Sequence, residues 1–69
     1  MDTKKMLGNH IKQLRIERKM SQRQFALMIG MDRTFLSTIE SGRQNVSIDT
    51  LERIVKGLDI TVVDLFKTL

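Results

Sequence analysis

Apolar residues recur at intervals of three and four along the whole chain, the spacing of one buried helix face. Leu7, Ile11 and Leu14 form the stripe of a first helix over about residues 3–19, whose other faces carry Lys12, Arg15, Arg18 and Lys19. Gly8 falls inside it, where glycine costs about 1 kcal/mol relative to alanine, and a close neighbour would explain its presence. Ser21 and Gln24 have the spacing of a capping box, so a second helix starts there and runs to about Ile29, with Phe25, Ala26 and Ile29 inside. Gly30 suits a left-handed helix end. Asp32 then caps a third helix, Arg33 to about Ser41, with Leu36 and Ile39 inside and Gly42 at its end. Ser47 caps a fourth, with Ile48, Leu51, Ile54, Val55 and Leu58 inward and its last turn weakened by Gly57. Thr61 and Asp64 open a short fifth helix bearing Val62, Val63, Leu65, Phe66 and Leu69, of which Val63 and Leu65 are expected to point inward. No segment has strand alternation between turn residues. The expected fold is all-α, a compact five-helix domain spanning residues 1–69, with no linker or internal repeat.

Composition narrows the class. There is no cysteine, which removes disulfides as a source of stability and fits a reducing cytoplasm. No apolar run approaches the roughly 20 residues a membrane span needs, so no membrane partner is expected. His10 is the single histidine and has no cysteine to join it, so no metal site and no cofactor are expected, and no Gly-rich phosphate loop is present. The acidic residues are scattered as caps and surface charges, which argues against an enzyme. Net charge is +4 and unevenly placed: residues 1–43 carry nine Lys/Arg against four Asp/Glu, residues 44–69 three against four. A basic half points to a polyanion partner on one face.

The candidate chemistry lies between Ser21 and Gly42. Two short helices joined by Gly30-Met31-Asp32 form a helix-turn-helix, which leaves the second helix free to enter a major groove about 12 Å wide. Its leading residues are Arg33, Thr34 and Phe35, followed a turn later by Ser37 and Thr38. Arg33 can donate two hydrogen bonds to a guanine, and the two threonines can offer a hydroxyl or a methyl group. Phe35 either packs on a thymine methyl or sugar or tucks into the edge of the core. Gln22 opens the second helix, where amide and backbone N–H groups can hold a phosphate.

The run Leu7-Gly8, Ile11, Leu14-Arg15, Ser21-Gln22, Phe25-Ala26, Gly30, Asp32 to Ser37 and Ile39 to Gly42 resembles the phage repressor and Cro, or XRE-type, family of helix-turn-helix proteins. Ile48, Thr50-Leu51, Ile54, Gly57-Leu58 and Asp64-Leu65-Phe66 continue the likeness over nearly the whole chain. Asp32 to Ser37 and Lys56-Gly57-Leu58 are similar to the controller proteins of restriction–modification systems. The resemblance implies a sequence-specific transcription regulator that binds a near-palindromic operator in double-stranded DNA as a homodimer, with RNA polymerase as a further candidate partner. It implies base contacts by Arg33, Thr34, Phe35, Ser37, Thr38 and Gln44, and phosphate contacts by Gln22, Arg23, Ser41, Arg43 and Asn45. It further implies an ion pair between Arg15 and Glu40; where the family usually has a small residue in the turn before Asp32, this chain has Met31, which is read as a core plug rather than a DNA contact. Val62, Phe66 and Leu69, at i, i+4 and i+7, are the expected dimer interface. An antitoxin using the same fold, or a helical scaffold with no DNA role, are the alternative readings.

Overall fold

The computed structural model describes residues 2–67. Each helix begins at the side-chain oxygen its sequence supplies: Asp2 before α1 (Thr3–Glu17), Ser21 before α2 (Gln22–Met28) and Asp32 before α3 (Arg33–Glu40). Ser47 precedes α4 (Ile48–Leu58) and Thr61 precedes α5 (Val62–Phe66). Every one of these oxygens accepts from a backbone N–H of the first turn, and Ser21 and Thr61 complete full capping boxes with Gln24 and Asp64.

The first four helices end alike. The residue two past each helix adopts a left-handed conformation at Lys19, Gly30 and Gly42 (φ 58, 68 and 78°), and for α4 it is the next residue, Asp59 (φ 58°). Each time the following N–H reaches back five residues: Met20 to Arg15, Met31 to Ala26, Arg43 to Thr38, and Ile60 to Val55. This is the Schellman closure, and an apolar residue commonly seals it onto the core. Met20, Met31 and Ile60 pack on the core in this way, whereas Arg43 is exposed. Lys19 explains why α1 stops at Glu17 and not at the expected residue 19.

The core joins all five helices: Leu7 and Ile11, Phe25 and Ala26, Leu36 and Ile39, Leu51, Ile54, Val55 and Leu58, and Leu65. Two glycines let helices approach closely. A Cβ on Gly8 would strike the backbone carbonyl oxygen of Ile39 and lie 2.8 Å from that of Glu40, so α1 crosses the end of α3 there. A Cβ on Gly57 would meet the Ile29 side chain and lie 3.0 Å from Phe25 Cε1, which fixes α4 on α2. Arg18 Nε donates to the Leu58 carbonyl at 2.9 Å and ties the ends of α1 and α4 together.

Two residues expected inside are outside. Ile48 is 69% exposed: its angular position suits the stripe, yet it is the first residue of α4 and projects past the packed part of the helix. Val63 is 71% exposed, because two residues at about 100° each place it opposite the buried Leu65. Among the described residues no helix is long and apolar enough to cross a membrane.

Candidate nucleic-acid interface

Gly30 makes the turn between α2 and α3. Nothing lies within 4 Å of where its Cβ would stand, so its positive φ alone demands glycine. Met31 then folds onto the core and Asp32 accepts from the Thr34 N–H at 2.7 Å, which starts α3 at a fixed angle to α2. With Leu36 and Ile39 buried, Arg33 and Thr34 are exposed on the other side, and Ser37 is half-buried beside them. Gln22, Arg33, Thr34 and Ser37 line one shallow cleft, and an adjoining depression is bordered by Arg15, Ser21, Gln22, Arg23 and Arg33.

Beneath this surface lies an ion pair. Arg15 Nε and Nη2 donate to Glu40 Oε2 and Oε1 at 2.8 and 3.0 Å, and both residues are buried. Arg15 Nη1 donates to the Met20 carbonyl at 2.7 Å, and Gln22 Nε2 donates to Glu40 Oε1 at 2.9 Å. A buried pair is tolerable only when its polar atoms find partners, and these bonds give one to each guanidinium nitrogen and each carboxylate oxygen. Because a carboxylate only accepts, the nitrogen of the Gln22 amide must face Glu40. Its carbonyl oxygen and second N–H remain for a ligand. Patterning alone puts Arg15 on an outer face of the first helix, whereas the family likeness pairs it with a partly buried Glu40; the structure buries the pair.

At the far end of α3 the polar groups satisfy one another. The Thr38 hydroxyl donates to the Phe35 carbonyl at 2.7 Å, which leaves its methyl and an accepting oxygen for outside contact. The Thr38 carbonyl accepts from the Ser41 hydroxyl and the Arg43 N–H, both at 3.0 Å. Arg43 Nε donates to Ser41 Oγ at 3.0 Å, holding the guanidinium beside the helix end. Asn45 is exposed and Gln44 half-buried in the loop that follows. Phe35 is partly buried and packs against the core, the second of its two sequence readings. The carboxylates here are committed, Asp32 as a cap and Glu40 to Arg15, while Arg23, Arg33 and Arg43 are exposed.

The family model described as helix-turn-helix matches residues 11–65. The chain belongs to the helix-turn-helix family. This helix-turn-helix protein is 48% identical over 66 residues to control protein C.MunI of Mycoplasma sp, covering 94% of this chain and 89% of that protein. It is 38% identical over 61 residues to control protein C.BamHI of Bacillus amyloliquefaciens, covering 87% and 75%. The restriction–modification controller protein C.Esp1396I, solved as a tetramer in complex with its natural 35 base-pair operator, superposes with a TM-score of 0.84 at 36% identity, covering 93% of this chain and 84% of that one.

A second surface lies on α5. Val62 and Phe66, four residues apart on one face, are 39% and 40% exposed. Leu69, the third expected interface residue, lies outside the described residues. Among the described residues no group of three His, Cys, Asp or Glu could hold a metal ion. Lys5 is the residue that sequence reasoning passed over: its backbone and side-chain stem lie directly on Gly42, next to Arg43. The repeated Lys4-Lys5 was visible, but its distance of some 37 positions from Gly42 hid the contact.

Proposed function

We propose that this protein is a sequence-specific transcription regulator of the restriction–modification controller type, which binds a near-palindromic operator in double-stranded DNA as a homodimer. The observation that carries this reading is the outward face of α3, where Arg33, Thr34 and Ser37 stand clear of the core beside Gln22 in one cleft. A single α-helix fits the major groove, which is about 12 Å wide. Arg33, in the first turn, reaches a guanine edge with two donors, with Thr34 and Ser37 beside it and Thr38 offering a methyl. Gln44 reaches the groove edge from the loop, and Phe35 supports α3 from the core side. Gln22, Arg23, Ser41, Arg43 and Asn45 hold phosphates on either flank and fix the depth of α3. The likeness to control proteins along most of both chains supports the controller reading.

Two copies joined through the Val62 and Phe66 face of α5 place their α3 helices about 34 Å apart, one turn of DNA. The protein acts by binding alone, without catalysis, in the cytoplasm. In vitro selection from a random duplex library, followed by sequencing, tests the reading directly. The expected product is a two-fold symmetric motif with a guanine fixed in each half-site. Enrichment of no motif, or of an asymmetric one, overturns it.

A further inference from the structure

The end of α3 is closed differently from the other helix ends. After Lys19, Gly30 and Asp59 an apolar residue seals the turn onto the core, but after Gly42 the next residue is the exposed Arg43. The seal comes instead from α1. Gly42 is buried, and a Cβ there would lie 2.5 Å from Lys5 Cγ, 2.6 Å from Lys5 Cα and 2.9 Å from Lys5 N. The aliphatic stem of Lys5 therefore covers the turn while the residue as a whole is exposed, which is how lysine buries its carbons and keeps its ammonium in water. Arg43 follows Gly42 directly in the chain, so the exposed Lys5 and Arg43 meet at one corner of the surface. The nearby carboxylate of Asp2 caps the Lys5 N–H at 3.2 Å.

Helix geometry extends this corner into a stripe. At 100° per residue, Lys12 lies within about 20° of Lys5 around α1, and both flank Gly8, where α1 crosses α3. The flank is the one beyond Arg15 and Glu40, on the side away from Leu7 and Ile11. Both lysines are exposed.

We propose that Lys5, with Lys12 on the same flank of α1, binds the phosphate backbone of the operator and carries the phosphate contacts of the α3–α4 loop onto the first helix. This rests on the DNA-binding reading above. Each phosphate neutralised by a lysine releases condensed counterions, so each contact adds about 0.9 to the slope of log affinity against log salt.

The experiment measures binding of a selected operator duplex between 50 and 200 mM salt for the full chain and for Lys5→Met, Lys12→Met, Lys5→Arg and Lys56→Met. Methionine keeps the stem over Gly42 and removes only the charge. Lys56, on α4 beside Met28 and Arg53, controls for net charge. Lys5→Met and Lys12→Met should each flatten the salt slope by about one, so that their affinity deficit shrinks about fourfold from 50 to 200 mM salt. Lys5→Arg and Lys56→Met should keep the wild-type slope. Unchanged slopes in both Lys5→Met and Lys12→Met, or an equal loss in Lys56→Met, overturn the proposal while leaving the DNA reading intact. A wild-type chain that forms no salt-sensitive complex with any duplex overturns both.

Discussion

Gln22 donates its side-chain amide to Glu40 Oε1 at 2.9 Å, which ties the first residue of α2 to the last residue of α3. The same carboxylate is gripped by Arg15 from α1, so three helices meet on one anion below the proposed DNA-facing surface.

Removing either ion-pair partner strands the other charge in the interior. Arg15→Ala and Glu40→Ala should each cost about 3–5 kcal/mol. The double variant should lose clearly less than the sum of the two, since the stranded charge is gone. Urea denaturation of the three variants and the parent measures the coupling, and additive losses contradict the geometry.

The two crossing glycines should respond differently to alanine. At Gly8 the new methyl meets backbone carbonyls of Ile39 and Glu40, which cannot swing aside. Overpacking of this kind costs about 1–3 kcal/mol, and Gly8→Ala should lie at the upper end. At Gly57 the new methyl meets Ile29 Cγ2, a branch methyl on a stiff Cβ, and the buried Phe25 ring at 3.0 Å, so side chains rather than backbone must shift. The gain of about 1 kcal/mol in helix propensity is common to both sites, so Gly57→Ala should be destabilising but less so than Gly8→Ala. Denaturation midpoints of the two variants test the ordering.

Specificity should separate by residue on α3 and its flanks. Arg33→Ala should lose affinity chiefly for the cognate site, by about 1–3 kcal/mol, and tolerate other bases at one position per half-site. Gln22→Ala should weaken cognate and random duplexes by similar factors. Arg43→Ala should do likewise and also flatten the salt dependence. Equal losses on cognate, singly substituted and random duplexes for Arg33→Ala would make it a phosphate contact.

An acidic group on the open face of α5 should break the dimer. Phe66→Asp, or Val62→Asp, is expected to sediment as a monomer and to bind the operator more weakly, while the buried Leu65 keeps α5 on the core. A dimer that persists in both variants places the interface elsewhere.

Asp64 should give the low-pH limb of stability a small, assignable component. Hydrogen bonds from the Thr61 backbone N–H and hydroxyl, and to a lesser degree the charge of Lys67, hold its carboxyl below the usual 3.8. A depressed pKa stabilises the fold above the unfolded value and is lost as pH falls through the folded value. Relative to Asp64→Asn, the parent should therefore be slightly more stable at neutral pH, and the difference should shrink as pH falls below 3.8 through the lowered folded value. Circular dichroism melts of both proteins across pH 2–7 provide the check.

What the sequence determined by itself was local. Ser21, Asp32, Ser47 and Thr61 mark helix starts because a cap needs only its own first turn, and Gly30 and Gly42 mark helix ends because positive φ favours glycine. The outward face of α3 followed equally from the burial of Leu36 and Ile39 at helical spacing. Lys19 and Asp59 were missed as left-handed ends since neither side chain announces that conformation, which the closure around it imposes. Ile48 and Val63 were misplaced because hydrophobicity gives a preference for burial, while a partner helix decides whether there is anything to be buried against. Arg15 and Glu40 were paired through a family likeness, but their depth and the addition of Gln22 depend on three helices converging. The contact of Lys5 with Gly42 belongs to the tertiary structure alone. Local chemistry sets where each helix begins and stops; which surfaces share a corner is set only when the helices pack.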